Sequence, residues 1–93
     1  MSVEHDKKYQ QFSILLGDED AELAYATPSE KVLDFTHTYV PESARGKGIA
    51  SKLITEGLQY ADLNGYRIIA TCPAVKAYIK RHPEYERLLK SAS

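Results

Sequence analysis

The stretch "YVPESARGKGIAS", residues 39–51, decides the fold, because it joins an apolar, β-branched segment to a segment with helical spacing. At its centre lie Arg45, Gly46, Lys47 and Gly48. The first amides of a helix have no partner within the helix, and the helix dipole favours negative charge beside them. Glycines there let a phosphate approach the backbone, and neighbouring cations add charge-assisted contacts. The stretch therefore predicts an anion site, with a plain helix start flanked by exposed cations as the alternative.

Three segments in the first half of the chain show the period-two alternation of half-buried strands. They read "YQQFSILL", "AELAYAT" and "VLDFTHTYV", and the turn clusters "GDEDA" and "PSEK" separate them. This order predicts an antiparallel meander. In the third strand the alternation predicts one face shared by Leu33, Phe35, His37 and Tyr39. The polar residues 1–8 are expected to be disordered.

The spacing of apolar residues becomes helical after Gly48, and Asn64 and Gly65 form a helix stop. Gly57 lies inside this helix, where glycine costs about 1 kcal/mol relative to alanine, so we expect another element to approach closely there. "YRIIA" predicts a buried fourth strand, and "AVKAYIKR" and "HPEYERLLK" predict C-terminal helices. The strand, helix and next strand form a crossover of the usual right-handed kind, in which the two strands run parallel. The sequence predicts an α/β (α+β) fold in one domain, residues 1–93.

The composition argues against several classes of function. Lys and Arg total 12 and Asp and Glu 13, a formal charge of −1, which disfavours a general nucleic-acid binder. The apolar runs are too short for a membrane span, and the amino terminus lacks the apolar core of a secretory signal, so a cytoplasmic location is expected. The single cysteine, Cys72, rules out an internal disulfide, and with three scattered histidines no metal site is predicted.

The same residues do not match two other phosphate-binding motifs. A Walker loop ends in Gly-Lys-Ser/Thr after a four-residue spacer, which "GKGIAS" lacks. A dinucleotide-binding fingerprint needs a third glycine, where Ser51 stands, and an acidic residue ending a second strand. Neither motif explains the loop.

The loop resembles the pyrophosphate-binding loop of the GNAT superfamily of N-acetyltransferases. The family's pattern R-x-x-G-x-A is matched by Arg45, Gly46, Lys47, Gly48, Ile49 and Ala50. The resemblance extends over "HTYVPESARGKGIASKLI" and "CPAVKAYIKRHPEY", which are similar to a subfamily of very small, single-domain members of unassigned substrate. It covers roughly residues 21–89, most of the chain.

The resemblance implies transfer of an acetyl group from acetyl-CoA to an amine. It implies that the strand end Thr38, Tyr39 and Val40 presents its backbone to the pantetheine arm, and that the six loop residues hold the pyrophosphate. The strands ending near Val40 and Cys72 would splay apart to admit the arm. The helices that commonly cover the acceptor side are missing or replaced in so short a chain, which favours a large acceptor such as a protein amine. The oligomeric state stays open, with a monomer favoured.

The candidate catalytic residues lie near the carboxyl ends of the two parallel strands. His37 and Cys72 are expected to approach one point of the cleft there. Either Cys72 attacks as a nucleophile with His37 as its base, or His37 deprotonates the amine and Cys72 only lines the thioester pocket. A hydrogen-bonded core histidine and a small buried cysteine are the structural alternatives.

The resemblance also points to Tyr78. Many GNAT enzymes use a tyrosine on the helix after this strand to protonate the CoA thiolate, and Tyr78 falls in that region, although a packed aromatic side chain explains it equally well. The alternative function for the chain is a CoA-binding module without turnover, such as an adaptor or sensor.

Overall fold

The computed structural model describes residues 2–90, in which one five-stranded sheet is accompanied by two α-helices. The strands are β1 (Glu4–Asp6), β2 (Gln11–Leu15), β3 (Asp20–Ser29), β4 (Val32–Tyr39) and β5 (Arg67–Ala70). The helices are α1 (Ile49–Leu63) and α2 (Pro73–Arg81), and short 3₁₀ helices span Glu42–Ala44 and Pro83–Leu88. The strands lie in chain order, with β1 to β4 antiparallel and β4 and β5 parallel. The predicted fold class, with its meander, crossover and C-terminal helices, is confirmed.

One face of the sheet carries the core, and we call it the inner face. Alternate residues of β2, β3 and β4 are buried on it, where they pack against the apolar stripe of α1. Helix α2 adds Val75, Tyr78 and Ile79 to the same cluster. We call the opposite side the open face, and its apolar residues Val32 and Ile69 lie outside that cluster. None of the helices described here is long and apolar enough to cross a lipid bilayer.

The glycine inside α1 is explained by how closely the helix lies on the sheet. A Cβ atom on Gly57 would lie 3.0 Å from Leu23 Cδ2 and 3.0 Å from Phe35 Cε1. Both partners are fully buried and have little room to move. The predicted close approach at this glycine is therefore confirmed.

The amino-terminal segment differs from the prediction of disorder over residues 1–8. Glu4–Asp6 forms β1, which pairs antiparallel with β2 at the sheet edge. The His5 ring stacks on Phe12 at a centroid distance of 4.1 Å, and its Nε2 lies 2.7 Å from the Tyr25 hydroxyl. A strand of three residues is too short to show an alternation, and the side chains that hold it come from distant strands. Met1 lies outside the described residues.

A β-bulge in β4 changes which side chains reach the core. Ala24 pairs with His37 and Tyr25 pairs with Phe35, so Thr36 is an extra residue on β4. The alternation therefore shifts by one residue beyond Phe35. The prediction of one face shared by Leu33, Phe35, His37 and Tyr39 is wrong after the bulge, because His37 and Tyr39 face the open side.

Thr38 takes the inner position that the alternation assigned to its neighbours. It pairs with Leu23, which is fully buried in the core, and directly opposed side chains of an antiparallel pair share a face. Its hydroxyl accordingly lies on the same side of the sheet as α1 and α2. The bulge thus decides which residues of β4 meet the start of α2.

Candidate active site

The candidate site lies where β4 and β5 separate. Their pairing ends at Phe35 and Ala70, and one further hydrogen bond joins the Cys72 amide to the Phe35 carbonyl at 2.8 Å. The chain then enters α2 at Pro73, which lacks an N–H and cannot extend a ladder. Strand β4 continues to Tyr39 without β5 beside it. A gap therefore opens between the two strands, and the splaying that the resemblance implies has a geometric basis.

Cys72 lies at this gap, as the N-cap residue of α2. Its side chain is buried, and its Sγ lies 3.3 Å from Thr38 Oγ1. Burial by itself raises the pKa of the Cys72 thiol. The hydrogen bond from Thr38, together with those from the amides of Val75 and Ala74, stabilises the thiolate and outweighs burial. The pKa of Cys72 consequently lies below its ordinary value, as suits a nucleophilic thiol.

His37 does not share this position. It is exposed on the open face, whereas Thr38 and Cys72 meet on the inner side. Within residues 2–90 the side-chain hydrogen-bond partner of Cys72 is Thr38, and none joins Cys72 to His37. The structure therefore does not form the nucleophile–base pair considered from the sequence, and His37 is not a core histidine. His37 instead faces the open side, away from α1 and α2.

Tyr78 holds α2 against α1. Its hydroxyl lies 2.6 Å from Thr55 Oγ1, which donates in turn to the Ser51 carbonyl at 2.7 Å. Because a carbonyl only accepts, the Thr55 proton is committed to Ser51, so Tyr78 donates its proton to Thr55. The Tyr78 ring is buried and stacks on His82 at a centroid distance of 4.0 Å. These contacts explain Tyr78 as packing, and its role as a proton donor stays a prediction.

The glycine loop leaves the start of α1 uncapped. Gly46 has φ 82° and Gly48 has φ 76°, values that only glycine adopts without strain. Gly48 is the N-cap residue, no side chain caps it, and the first turn holds no acidic residue. The first intrahelical bond runs from the Lys52 amide to the Gly48 carbonyl at 3.0 Å. The three preceding amides, of residues 49–51, therefore point out of the helix without an intrahelical partner.

These amides border a cavity of about 230 Å³. Arg45 is fixed beside it, because its Nε donates to the Val40 carbonyl at 3.1 Å, and Lys47 is exposed in the same loop. The cavity is lined by Val40, Ala44, Arg45, Gly46, Gly48, Ile49, Ala50 and Ser51. The structure thus brings most of the predicted loop residues to one concave surface at the end of β4. Sequence reasoning missed Ala44 and Ser51, because neither residue type signals an anion site.

Residues 11–88 match the family described as GCN5-related N-acetyltransferase. The chain belongs to this family. The match spans most of the chain and includes the loop, the gap and Cys72. The family relationship inferred from the loop and from the "CPAVKAYIKRHPEY" segment is thereby confirmed.

Curated relatives of this GNAT chain include Protein NATD1 of three vertebrates. The protein of Danio rerio is 39% identical over 94 residues, with 96% of this chain and 86% of the relative covered. That of Xenopus tropicalis is 35% identical, with 87% and 76% covered. That of Homo sapiens is 32% identical, with 87% and 74% covered.

A solved structure has the same fold. It is the solution NMR structure of a GCN5-like protein from Staphylococcus aureus, with a TM-score of 0.76 and 21% sequence identity. The likeness covers 99% of this chain and 90% of that one. It establishes the GNAT fold of this chain and carries no information on its substrate.

The contact between Thr38 and Cys72 generates a prediction for this GNAT protein. Thr38→Val removes the hydroxyl that stabilises the thiolate, so the pKa of Cys72 rises. The Cys72 thiol of the variant is then protonated at pH values at which that of the wild type is still ionised. The measurement is the Cβ chemical shift of Cys72 as a function of pH. Thr36→Val, the same change at the exposed bulge, serves as the control and leaves the midpoint in place. Identical midpoints for the wild type and Thr38→Val would show that this contact does not tune the thiol.

Proposed function

We propose that the chain is an acetyl-CoA-dependent N-acetyltransferase that acts on an amine. The observation that carries this proposal is the uncapped start of α1, which opens on a cavity directly beside the gap between β4 and β5. A diphosphate is a suitable occupant, because unpartnered amides, the helix dipole and Arg45 converge there, and Lys47 lies in the same loop. No carboxylate lies in the first turn of α1 to repel it.

Different groups of the chain would bind the pyrophosphate and the pantetheine arm of CoA. The amides of residues 46 and 48–51 would donate hydrogen bonds to the pyrophosphate oxygens, and Arg45 and Lys47 would add charge. The backbone of Thr38, Tyr39 and Val40 borders the gap on the side that β5 has left. Peptide-like groups of a pantetheine arm can pair with that free edge in the way a strand would. This arrangement would direct the thioester toward Cys72.

Acetyl-CoA supplies the acetyl group as a thioester. In one route the Cys72 thiolate attacks its carbonyl carbon, the C–S bond to CoA breaks, and an acetyl-cysteine forms. An amine then attacks that acetyl group, its proton passes to a base, and the Cys72 thiolate leaves. The stabilisation of the thiolate by Thr38 and by the α2 amides favours this route.

In the other route the amine attacks the thioester directly, the C–S bond breaks, and CoA leaves as its thiolate. His37 faces the open side and would take the amine proton, which needs no contact between His37 and Cys72. The two routes share the same CoA site and differ in whether the protein is acylated. His37 therefore stays in the proposed machinery as the base nearest the acceptor side.

The CoA site is tested by a methyl group placed in it. A Cβ atom on Gly48 meets no protein atom within 4 Å, so in Gly48→Ala it occupies the space left for a phosphate. The positive φ also costs about 1–2 kcal/mol in stability. In the wild type, CoA at a hundredfold excess over Kd should add about 2.7 kcal/mol to the free energy of unfolding. The measurement is the melting temperature of each protein with and without CoA.

Gly65→Ala is the matched control for the backbone strain of a positive φ. Gly65 has φ 74°, close to the 76° of Gly48, and lies at the far end of α1. Both variants should lose similar intrinsic stability, and only Gly48→Ala should lose the stabilisation by CoA. If CoA protects both variants equally, the phosphate does not sit on the start of α1.

A CoA-binding module without turnover is a second candidate. It is favoured by two observations: His37 forms no hydrogen bond to Cys72 within residues 2–90, and the Tyr78 proton is held by Thr55. Neither observation removes the CoA site. The two functions therefore differ only in the fate of the acetyl group.

Mass spectrometry of the intact protein after incubation with acetyl-CoA separates these functions. We expect a gain of one acetyl group in the wild type and in His37→Ala, because Thr38 and the α2 amides activate the thiol without His37. The gain should vanish in Cys72→Ala. Acetylation of an added amine without any modified protein would instead select the direct route. If a protein that binds CoA forms neither acetylated protein nor acetylated amine, the chain is a CoA-binding module without turnover.

A further inference from the structure

The open face of the sheet is strongly acidic. Six carboxylates lie on it: Glu4, Asp6, Glu19, Asp20, Glu22 and Asp34. Five of them are outward positions of β1, β3 and β4, opposite or alternate to residues buried on the inner face. Glu19 comes from the turn before β3 and accepts a hydrogen bond from the Tyr39 hydroxyl at 2.9 Å. The whole chain, by contrast, has a formal charge of only −1.

The strand register arranges these groups in rows. Glu4 pairs with Ser13, Ser13 with Glu22, and Glu22 with Tyr39, so one row crosses four strands. A second row runs through Asp6, Gln11, Ala24 and His37. In the first row the small side chain of Ser13 therefore lies between two carboxylates. The second row ends at His37, beside the point where β4 and β5 part.

These carboxylates are not neutralised by the protein. The one ion pair within residues 2–90 joins Arg87 Nη2 to Asp62 Oδ2 at 2.7 Å, away from this face. Arg67 lies at its edge, but its Nη1 donates to the Arg87 carbonyl at 2.6 Å. Asp34 Oδ1 is buried and has no hydrogen-bond partner among the described residues. Carboxylates that share one face give it a negative potential, so the face is set to attract cations.

Many of the exposed cations lie elsewhere. The loop and the two helices carry Arg45, Lys47, Lys52, Lys76, Lys80 and Arg81 as exposed side chains. The open face is therefore acidic, whereas the helical side carries these cations together with acidic residues such as Glu56 and Glu84. The loop cations lie at the site proposed for the anionic coenzyme, and a partner of opposite charge suits the open face.

We infer that the open face docks a lysine-rich segment of a polypeptide, which presents a lysine amine to the gap beside His37. This assignment of the acceptor class rests on the proposed acetyl transfer. A polypeptide fits because the carboxylates span β1 to β4, on the order of 14 Å at roughly 4.8 Å per strand, so several cations on one extended chain are needed to meet them. Acetylation removes the charge of the lysine, so the product should dissociate from this face more readily than the substrate does.

The test is an amide NMR titration of the protein, without coenzyme, with a peptide of repeating Lys-Gly-Ala triplets. The shifts should fall on β1 to β4 residues of the open face. Raising the ionic strength from about 0.01 M to about 0.15 M, which shortens the Debye length from about 30 Å to about 8 Å, should weaken binding markedly. The fully lysine-acetylated peptide should not bind.

Paired variants identify the surface. Glu4→Gln with Glu22→Gln removes two carboxylates of the first row and should weaken peptide binding about three- to tenfold. Glu56→Gln with Glu84→Gln removes the same charge from exposed positions of the helical side and should leave binding unchanged. Equal weakening by both pairs would reduce the effect to net charge and overturn the inference. Tighter binding of spermine than of the peptide to the same residues would also overturn it.

Acetyl transfer to the same peptide provides a second measurement. The open-face pair should raise KM for the peptide with kcat unchanged, and the helical-side pair should change neither. If the peptide binds but no protein transfers acetyl, the proposed function fails and the docking surface stands. If a small amine is acetylated while the peptide does not bind, the docking surface fails and the proposed function stands.

Discussion

The early end of β5 beside a longer β4 is the constraint on which the candidate site depends. Pro73 stops the ladder one hydrogen bond after Ala70, and the bulge at Thr36 alters the course of β4 at the same height. The last residues of β4 therefore have no strand beside them on that edge, while the start of α2 brings Cys72 against Thr38. The crossover helix α1 begins at the same edge, so its unpartnered amides lie next to the gap. In parallel βαβ units this is the edge at which ligands bind.

Much of this arrangement is predictable from the sequence, because it rests on local signals. The period of two in the first half and the helical period after Gly48 give the meander and the crossover without knowledge of tertiary contacts. The glycines and cations of residues 45–48 mark the loop that borders the cavity, and Gly57 marks the close contact with Leu23 and Phe35. The resemblance to the GNAT family adds the coenzyme, which no local pattern of this chain names by itself.

Other features could not be predicted, because distant residues create them. The bulge arises where Ala24 and Tyr25 oppose three residues of β4. It turns His37 away from Cys72 and brings Thr38 against Cys72. Strand β1 is held by the contacts of His5 with Phe12 and Tyr25, which no alternation in three residues can reveal. The acidic open face likewise emerges only once the register aligns carboxylates from separate strands.

A thin sheet separates the helical side, where we propose that the coenzyme binds, from the acidic open face, where we propose that the acceptor binds, and one gap joins the two. Both proposals depend on binding of the CoA diphosphate by the amides at the start of α1. Amide chemical shifts measured during a CoA titration test this claim most directly. We expect the largest changes at residues 46–51 and none at β1. Unchanged shifts over residues 46–51 at saturating CoA would contradict the account.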